Sequence, residues 1–309
     1  MARSSRSILI LVAAALALAA GYGAYSYFRT ARQAEDAANA RDGAPSWGPG
    51  GRLIVFAAEV GREPADLYVM AADGSGRRRL TSTPAVEANP VFSPDGTRIA
   101  FESDRDGNSE IYVMEADGGN VRRLTNDPAS DAFPAWSPDG TRLAFMSDRN
   151  KRAASDIYTM DATDGSKIER LTTDLANWSP QYSPDGKQLA VQVNRDVAVI
   201  DLGTKALRRL TLEPANGMNP TWSPDGRRLA FVTTRNRRAE IFSMNSDGTD
   251  AKPVVAMPNG SAIDARWSPD GSRLAFVFVP GEPPPGEAQG RQGIYTFDLT
   301  TGAITRLSP

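Results

Sequence analysis

The sequence predicts an all-β protein: a six-bladed β-propeller of four-stranded antiparallel blades, preceded by one N-terminal transmembrane or signal helix. The first observation is a tetrapeptide, Ser-Pro-Asp-Gly, that recurs every 40 to 46 residues. Its five copies begin at Ser93, Ser137, Ser183, Ser223 and Ser268, and a degenerate copy lies at 48–51. A repeat of this length is typical of propeller blades.

The second observation is that each repeat unit contains the same succession of strand and turn patterns. An aromatic residue precedes every turn, at Trp47, Phe92, Trp136, Tyr182, Trp222 and Trp267. Pro and Gly suit the second and fourth positions of a tight turn. Two strands rich in β-branched and aromatic residues follow, such as 98–101 and 111–114, and then a short fourth strand such as 121–125.

Six such units cover residues 44–309 and predict six blades stacked in a ring. The last unit ends on its own fourth strand, so we expect blade 1 to pack on blade 6 without strand exchange. Three units depart from the pattern. Blade 4 has almost no loop at 192–196, blade 5 has Pro253 in its edge strand, and blade 6 has an insertion at 280–291 containing Pro283–Pro285.

The N-terminal segment 1–28 is predicted to be a signal anchor or a signal peptide. An uncharged run from Ser7 to Phe28 is long enough to span a bilayer as a helix. The alternative is cleavage near Ala19, within the small-x-small sequence 17–19. Residues 29–43 are interpreted as a linker. Large C-terminal domains are translocated largely regardless of charge, so the propeller is expected outside the cytoplasm.

Composition excludes several classes of mechanism. The sequence contains no Cys and no His, which removes thiolate nucleophiles, His-based triads and the commonest transition-metal ligands. The net charge of -2 provides no field that would attract nucleic acid. No cofactor and no metal is predicted, and the Asp of each Ser-Pro-Asp-Gly copy is interpreted as a turn residue because it recurs.

The pattern W-S-P-D-G-x-x-[IL]-A-F, then [DE]-I-Y-x-M, then R-L-T, resembles the TolB-like, WD-like propeller repeat family over about 85% of the sequence. The resemblance implies a six-bladed propeller that is usually extracytoplasmic and binds protein. Only residues 1–43 precede the repeats, so we expect the chain to lack the α/β domain that precedes the propeller in TolB. Oligogalacturonate lyases have a similar propeller but use His ligands for their metal.

Two charged patterns recur and are assigned structural roles. Acidic residues precede the third strand at Asp66, Glu110, Asp156, Asp196 and Glu240, and arginines lie in the preceding loop at Arg105, Arg149 and Arg235. We expect ion pairs between blades. Arginine pairs at 78–79, 122–123 and 208–209 are expected to protect edge strands from aggregation or, alternatively, to contact an anionic surface.

The candidate partner-binding residues lie in the predicted loops that connect a fourth strand to the next first strand, around one mouth of the central channel. Aromatic residues and Met among carboxylates and amides suit a partner surface. These residues are Glu87, Asn89, Asp131, Phe133, Asn177, Trp178, Asn216, Met218, Asn219, Ile263 and Asp264. Phe133 and Trp178 are the strongest candidates, although both could instead pack between neighbouring loops.

The sequence therefore predicts an extracytoplasmic scaffold for a protein, peptide or glycan partner in the cell envelope. We expect it in the bacterial inner membrane with the propeller in the periplasm, or else soluble in the periplasm or secreted after cleavage. One alternative is a metal-dependent lyase or hydrolase that uses carboxylates at the channel mouth, such as Glu87, Asp131 or Asp264. A second is a sensory ectodomain whose signal passes through an uncleaved anchor.

Overall fold

A computed structural model of the chain describes residues 41–150, 155–173, 177–212, 216–235, 238–281 and 291–308. The predicted N-terminal helix, most of the predicted linker and Pro283–Pro285 lie outside the described residues. The described ranges contain no helix that is long and apolar enough to cross a membrane.

The described residues form 24 strands in six four-stranded antiparallel sheets, each built from consecutive strands. The first strands are β1 (Arg41–Trp47), β5 (Glu87–Phe92), β9 (Asp131–Trp136), β13 (Asn177–Tyr182), β17 (Met218–Trp222) and β21 (Gly260–Trp267). The second strands are β2 (Leu53–Glu59), β6 (Arg98–Ser103), β10 (Arg142–Ser147), β14 (Gln188–Val193), β18 (Arg228–Thr233) and β22 (Arg273–Pro280). The third strands are β3 (Asp66–Ala71), β7 (Glu110–Glu115), β11 (Asp156–Asp161), β15 (Asp196–Asp201), β19 (Glu240–Asn245) and β23 (Gly293–Asp298). The fourth strands are β4 (Arg78–Arg79), β8 (Arg122–Arg123), β12 (Glu169–Arg170), β16 (Leu207–Arg209), β20 (Lys252–Val255) and β24 (Ile304–Arg306).

The predicted six-bladed propeller is confirmed, including its closure. No strand is exchanged among the sheets of the described residues, and β1 packs on β21, β22 and β23 of blade 6. Strand β1 begins at Arg41, earlier than the boundary expected at residue 44. Pro253 lies in β20, the outer strand of blade 5, where a residue without an N–H interrupts no further pairing.

The hydrophobic core lies between neighbouring blades rather than within any one of them. One cluster joins Val55 and Leu67 of blade 1 to Phe101, Tyr112 and Met114 of blade 2. Phe101 and its counterparts in four other blades are completely buried. A blade is a single sheet, so it buries both of its faces only when it is stacked in the ring.

The Ser-Pro-Asp-Gly turns use all four of their residues. In blade 2, the Ser93 hydroxyl donates to Asp95, and the Arg98 amide donates to the Ser93 hydroxyl oxygen. The Asp95 carboxylate also accepts from the Thr97 amide at 3.0 Å. These bonds lower the pKa of Asp95 to about 2. The recurring Asp is therefore a turn residue.

The same turns join each blade to the one before it. Gly96 has a φ of +72°, and a Cβ placed there would lie 3.0 Å from the ring of Pro49 in blade 1. Gly51 and Pro269 form the equivalent contact between blades 1 and 6. A ring of interlocked Gly–Pro contacts thus crosses every seam, including the seam that closes the propeller.

Tryptophan side chains cross the seams beside these turns. The Trp136 indole donates to the Val91 carbonyl of the preceding blade at 3.2 Å, and the Arg98 guanidinium lies 4.6 Å from the Trp136 ring. Trp47 donates to the Arg266 carbonyl, also at 3.2 Å, across the closing seam. These two tryptophans are therefore interblade contacts as well as core residues.

The predicted interblade pairing is wrong for four of the five repeated acidic residues, because Asp66, Glu110, Asp156 and Asp196 form ion pairs within their own blades. Asp66 pairs with Arg79, and Glu110 pairs with Arg123 at 2.7 Å; each Arg belongs to the fourth strand of the same blade. In the R-L-T motif, the Thr125 hydroxyl oxygen accepts a hydrogen bond from the Ile111 amide in β7 at 2.8 Å. The motif therefore attaches the short fourth strand to the start of the third.

The outer arginine pairs divide into two roles that the sequence did not separate. The second member of each pair, such as Arg123, neutralises the buried acid within its own blade. The first member reaches the next blade: Arg122 donates to the Thr163 carbonyl at 2.8 Å, and Arg208 donates to the Asp247 carbonyl at 2.8 Å. The second arginine of each pair therefore stabilises its own blade, and the first arginine links that blade to the next. Both also place charge at the outer edge of the sheet.

Candidate functional site

The predicted partner-binding residues lie mainly in the innermost strands rather than in the loops before them. Glu87 and Asp131 are the first residues of β5 and β9, and Asn177 and Met218 begin β13 and β17. Of the eleven, Asn216 alone precedes its strand. The location expected in connecting loops is therefore wrong for ten of the eleven residues, which lie in strands.

Every innermost strand has a bulge with one residue in the left-handed region. These residues are Ala44, Asn89, Phe133, Ser179, Asn219 and Asp264, with φ between 48° and 54°. The strand register shifts at each of them, and in five blades the next residue is Pro. Such a bulge re-aims side chains. We call these six positions the channel ring.

The channel ring forms part of a narrow cavity on the propeller axis. Its lining includes Asn89, Phe133 and Ser179 from the ring, with Gln181 and Arg266 beside them. The cavity volume is about 10 Å³, close to the space of one water molecule. The centre of the ring therefore admits a small group, and a larger partner would contact the mouth.

One half of the channel ring is connected by hydrogen bonds across three blades. The Ser179 hydroxyl donates to the Asn219 side-chain oxygen at 3.0 Å, and the Asn219 amide group donates to Asp264 at 2.8 Å. Burial raises the pKa of Asp264, and nearby Arg266 opposes that shift. Ser179 and Asp264 thereby hold the Asn219 side chain in one orientation.

In two blades, a buried polar side chain of the preceding blade accepts a hydrogen bond from the bulge. Glu102 of β6 accepts from the Phe133 amide at 3.0 Å, and Gln192 of β14 accepts from the Asn219 amide at 3.4 Å. Glu102 also bonds to the Asn89 side chain, while its burial raises its pKa to about 6. Sequence reasoning missed Glu102 and Gln192, although each is a polar residue in an otherwise apolar second-strand pattern.

Glu87 and Asp131 are buried ion-pair partners rather than surface groups. Glu87 pairs with Arg105, and Asp131 pairs with Arg149 at 2.7 Å; both carboxylate side chains have no exposed surface. Each guanidinium also stacks on a Phe–Tyr pair of its blade. Burial nevertheless raises the pKa of Asp131 to about 6. A partner at the mouth does not reach these two carboxylates directly.

The large apolar candidates also differ in accessibility. Trp178 is 8% exposed and belongs to a buried cluster with Ala132 and Met146, so it packs between blades 3 and 4. Phe133 lies partly buried against the same cluster. Met218 is buried with Val232, and Ile263 packs against that pair. Phe133 is therefore the aromatic candidate that retains exposed surface.

The carboxylates named for a metal-dependent alternative are separated by their own partners. Glu87 and Asp131 bind arginines, while Asp264 accepts from Asn219. Among the residues that the structure describes, no three Asp or Glu side chains converge as a metal site would require.

Fold and repeat together define a six-bladed β-propeller of Ser-Pro-Asp-Gly blades with a polar, hydrogen-bonded channel mouth. Residues 173–309 match the TolB beta propeller domain, and residues 49–192 match the Tricorn protease N-terminal beta propeller domain. The second half of the chain is thus similar to the TolB beta propeller domain, as the repeat pattern predicts, and the first half is similar to another protein's propeller.

Individual proteins are similar to this chain over limited lengths. A TolB homolog from Chlorobium luteolum is 36% identical over 66 residues, which is 21% of this chain and 15% of the relative. The crystal structure of TolB from Acinetobacter baumannii is 29% identical with a TM-score of 0.58, over 66% of this chain and 52% of that one. An oligogalacturonate lyase in complex with manganese shares the fold at 14% identity and a TM-score of 0.59, over 87% of this chain and 78% of that one. The chain spans only about half of the TolB structure and much less of the curated relative.

Proposed function

We propose that this chain is an extracytoplasmic, TolB-like scaffold that binds a protein or peptide partner at the channel-mouth face. The partner contacts the channel ring, with Phe133 as an apolar contact and Asn89, Asn219 and Asp264 as polar ones. Aromatic side chains surrounded by oriented polar groups are typical of protein-binding surfaces.

The observation that carries the proposal is a contrast between backbone and side chains. The channel ring repeats one backbone conformation six times, but its side chains are Ala, Asn, Phe, Ser, Asn and Asp. Elsewhere the repeat uses the same residues for the same contact, as in the Ser-Pro-Asp-Gly turns. Side-chain variety on a constant backbone is what a specific recognition surface requires, since specificity depends on differences in contact chemistry.

The proposed location follows from the N-terminal sequence and from the TolB resemblance. The uncharged run 7–28 provides an anchor or a signal for export. We propose that the chain is held at the inner membrane facing the periplasm, or is released after cleavage near Ala19. Cell fractionation with N-terminal sequencing of the mature chain distinguishes the two, and full-length chain in the cytosol would contradict both.

Crosslinking in intact cells, followed by affinity purification of the full chain, tests the binding face. Phe133→Ala removes the aromatic ring at a position whose counterpart in blade 1 is already Ala44, with φ of 48°. Asp264→Asn keeps an oxygen that can accept from Asn219 and removes the charge. We expect each variant to lower recovery of the crosslinked partner at least tenfold.

The matched control is Lys187→Ala, an exposed side chain in a Ser-Pro-Asp-Gly turn on the opposite face. It should recover the partner like the unmodified chain. Thermal melts followed by circular dichroism show whether each variant is folded. Unchanged recovery with both channel-ring variants, or an equal loss with the control, would show that this face is not the binding site.

A further inference from the structure

The cavity on the propeller axis is lined by one cationic side chain. Arg266 belongs to β21, the innermost strand of blade 6, and it lines the cavity together with residues of blades 1 to 4. The described residues of this lining include no Asp and no Glu. A guanidinium stays charged at every ordinary pH. The ring therefore places a fixed positive charge beside a space of about 10 Å³ on its own axis.

The Arg266 guanidinium has fewer partners than it has donors. One of its N–H groups donates to the Ala265 carbonyl at 2.9 Å, whereas a guanidinium carries five donors. Among the residues that the structure describes, it makes no further hydrogen bond and no ion pair. Burial lowers the pKa of Arg266, and nearby Asp264 only partly opposes that shift. A charge withdrawn from water is costly unless it is paired, so this position favours a compensating anion.

A second side chain with unused donors lines the same cavity from blade 4. Gln181 occupies in β13 the position that Arg266 occupies in β21, one residue before the aromatic residue of the repeat. Its backbone carbonyl accepts from the Trp222 indole at 3.2 Å, but its side-chain amide bonds to none of the described residues. The other blades have smaller residues at this position, namely Ser46, Val91, Ala135 and Thr221. Two polar side chains of this layer thus have donors available at the axis.

We propose that the axial cavity binds one small monovalent anion, either a halide ion or a single carboxylate group, held by Arg266 and Gln181. The guanidinium supplies charge-assisted hydrogen bonds, which are shorter and stronger than neutral ones. The Gln181 amide group supplies a neutral donor. The cavity has room for about one water molecule, which restricts the ligand to a group of similar size. The site lies inside the ring, so it is additional to the proposed partner binding and does not require it.

Line broadening of the chloride NMR signal by the purified full chain tests the site, with chloride as the probe. Excess broadening by the unmodified chain measures chloride that exchanges on and off the protein. Arg266→Gln introduces the residue that blade 4 already has at this position. It should lower the chloride affinity at least about tenfold, because a hydrogen bond to a charged group is lost. Gln181→Val introduces the residue of blade 2 and should lower the affinity about threefold, because a neutral bond is lost.

Arg266→Lys and formate distinguish a halide ligand from a carboxylate ligand. Arg266→Lys keeps the charge and removes the planar fork that pairs with a carboxylate. It should retain chloride binding, and it replaces Arg266→Gln as the test if thermal melts show that Arg266→Gln is unfolded. Formate should displace chloride from the unmodified chain more effectively than from Arg266→Lys. Broadening that persists in formate would restrict the site to halide ions.

The control is Arg227→Gln, which removes an exposed charge next to a Ser-Pro-Asp-Gly turn and should leave the broadening unchanged. Crystals grown in bromide should show an anomalous diffraction peak beside Arg266. The site would be overturned if the unmodified chain gave no excess broadening, if Arg266→Gln retained all of it, or if Arg227→Gln lost as much. None of these results bears on the crosslinking of a partner, which tests the scaffold function separately.

Discussion

Glu102 offers a quantitative test of how the channel ring is supported. The Glu102→Gln variant keeps a side-chain oxygen for the Phe133 amide and removes the ionisable group. Gln192 already fills the equivalent position in blade 4 and accepts from the next bulge, so the substitution reproduces a contact that the chain makes elsewhere.

The expected magnitude follows from the pKa of Glu102, which burial raises from 4.5 to about 6. The folded state binds the proton more tightly than the unfolded state, so this residue costs stability as the pH rises through the window from 4.5 to about 6. Each pKa unit corresponds to about 1.4 kcal/mol, so the cost approaches about 2 kcal/mol at pH 7. Glu102→Gln should therefore be more stable than the unmodified chain at pH 8 by about 2 kcal/mol and nearly equal to it at pH 4.

Urea unfolding of both chains between pH 4 and pH 8, followed by tryptophan fluorescence, measures this difference. The reverse substitution, Gln192→Glu, is the matched control and should lose stability relative to the unmodified chain over the same window, as the pH rises from about 4.5 to about 6. A stability difference that stays constant across the pH range would refute the reasoning, because the effect would then come from packing rather than from ionisation.

Three further predictions concern the seams, the ion pairs and the turns. Gly165→Ala should cost at least about 3 kcal/mol in urea unfolding, since its Cβ would lie 2.1 Å from a carbonyl oxygen of the preceding blade, whereas Gly61→Ala, with open space around it, should cost about 1 kcal/mol. Arg123→Ala leaves the buried Glu110 without its cation and should cost about 3 to 5 kcal/mol in the same assay; a cost below 1 kcal/mol would contradict the pairing. Hydrogen bonds lower the pKa of Asp270 to about 2, so its stabilisation is present above its ordinary pKa of 3.8 and is lost as the pH falls toward 2. Asp270→Ala should accordingly be less stable than the unmodified chain at pH 6 and similar to it at pH 2 by circular dichroism.

The sequence predicted the blade number, the strand order and the closure, because these depend on spacing and on strand patterns that repeat. It did not predict which arginine would meet which acid. Spacing placed Arg105 near Glu110, but in the folded blade Arg105 reaches Glu87, and Glu110 is reached by Arg123 from the outer strand. Pairing across a sheet depends on which face each side chain occupies, and a loop residue carries no such periodicity.

The sequence named four members of the channel ring, Asn89, Phe133, Asn219 and Asp264, but placed them in connecting loops and did not single out Ala44 or Ser179. A Pro follows Asn89 and Phe133, and Pro is rare within sheets. In the structure these prolines lie inside the innermost strands, at bulges where the ladder is already interrupted. The signal was available in the sequence, since an x-Pro pair precedes the aromatic residue at a constant distance in five of the six units.

The Gly–Pro and Trp contacts at the closing seam have a further consequence for the architecture. Blade 6 meets blade 1 through the same two kinds of contact that join blades linked by the chain, with Gly51 on Pro269 and Trp47 on the Arg266 carbonyl. The ring is therefore held shut by repeated non-covalent couplings, and continuity of the backbone is not what defines its circumference. The Gly–Pro contact is made at all six seams, so in this respect the closing seam is equivalent to the five that the backbone crosses.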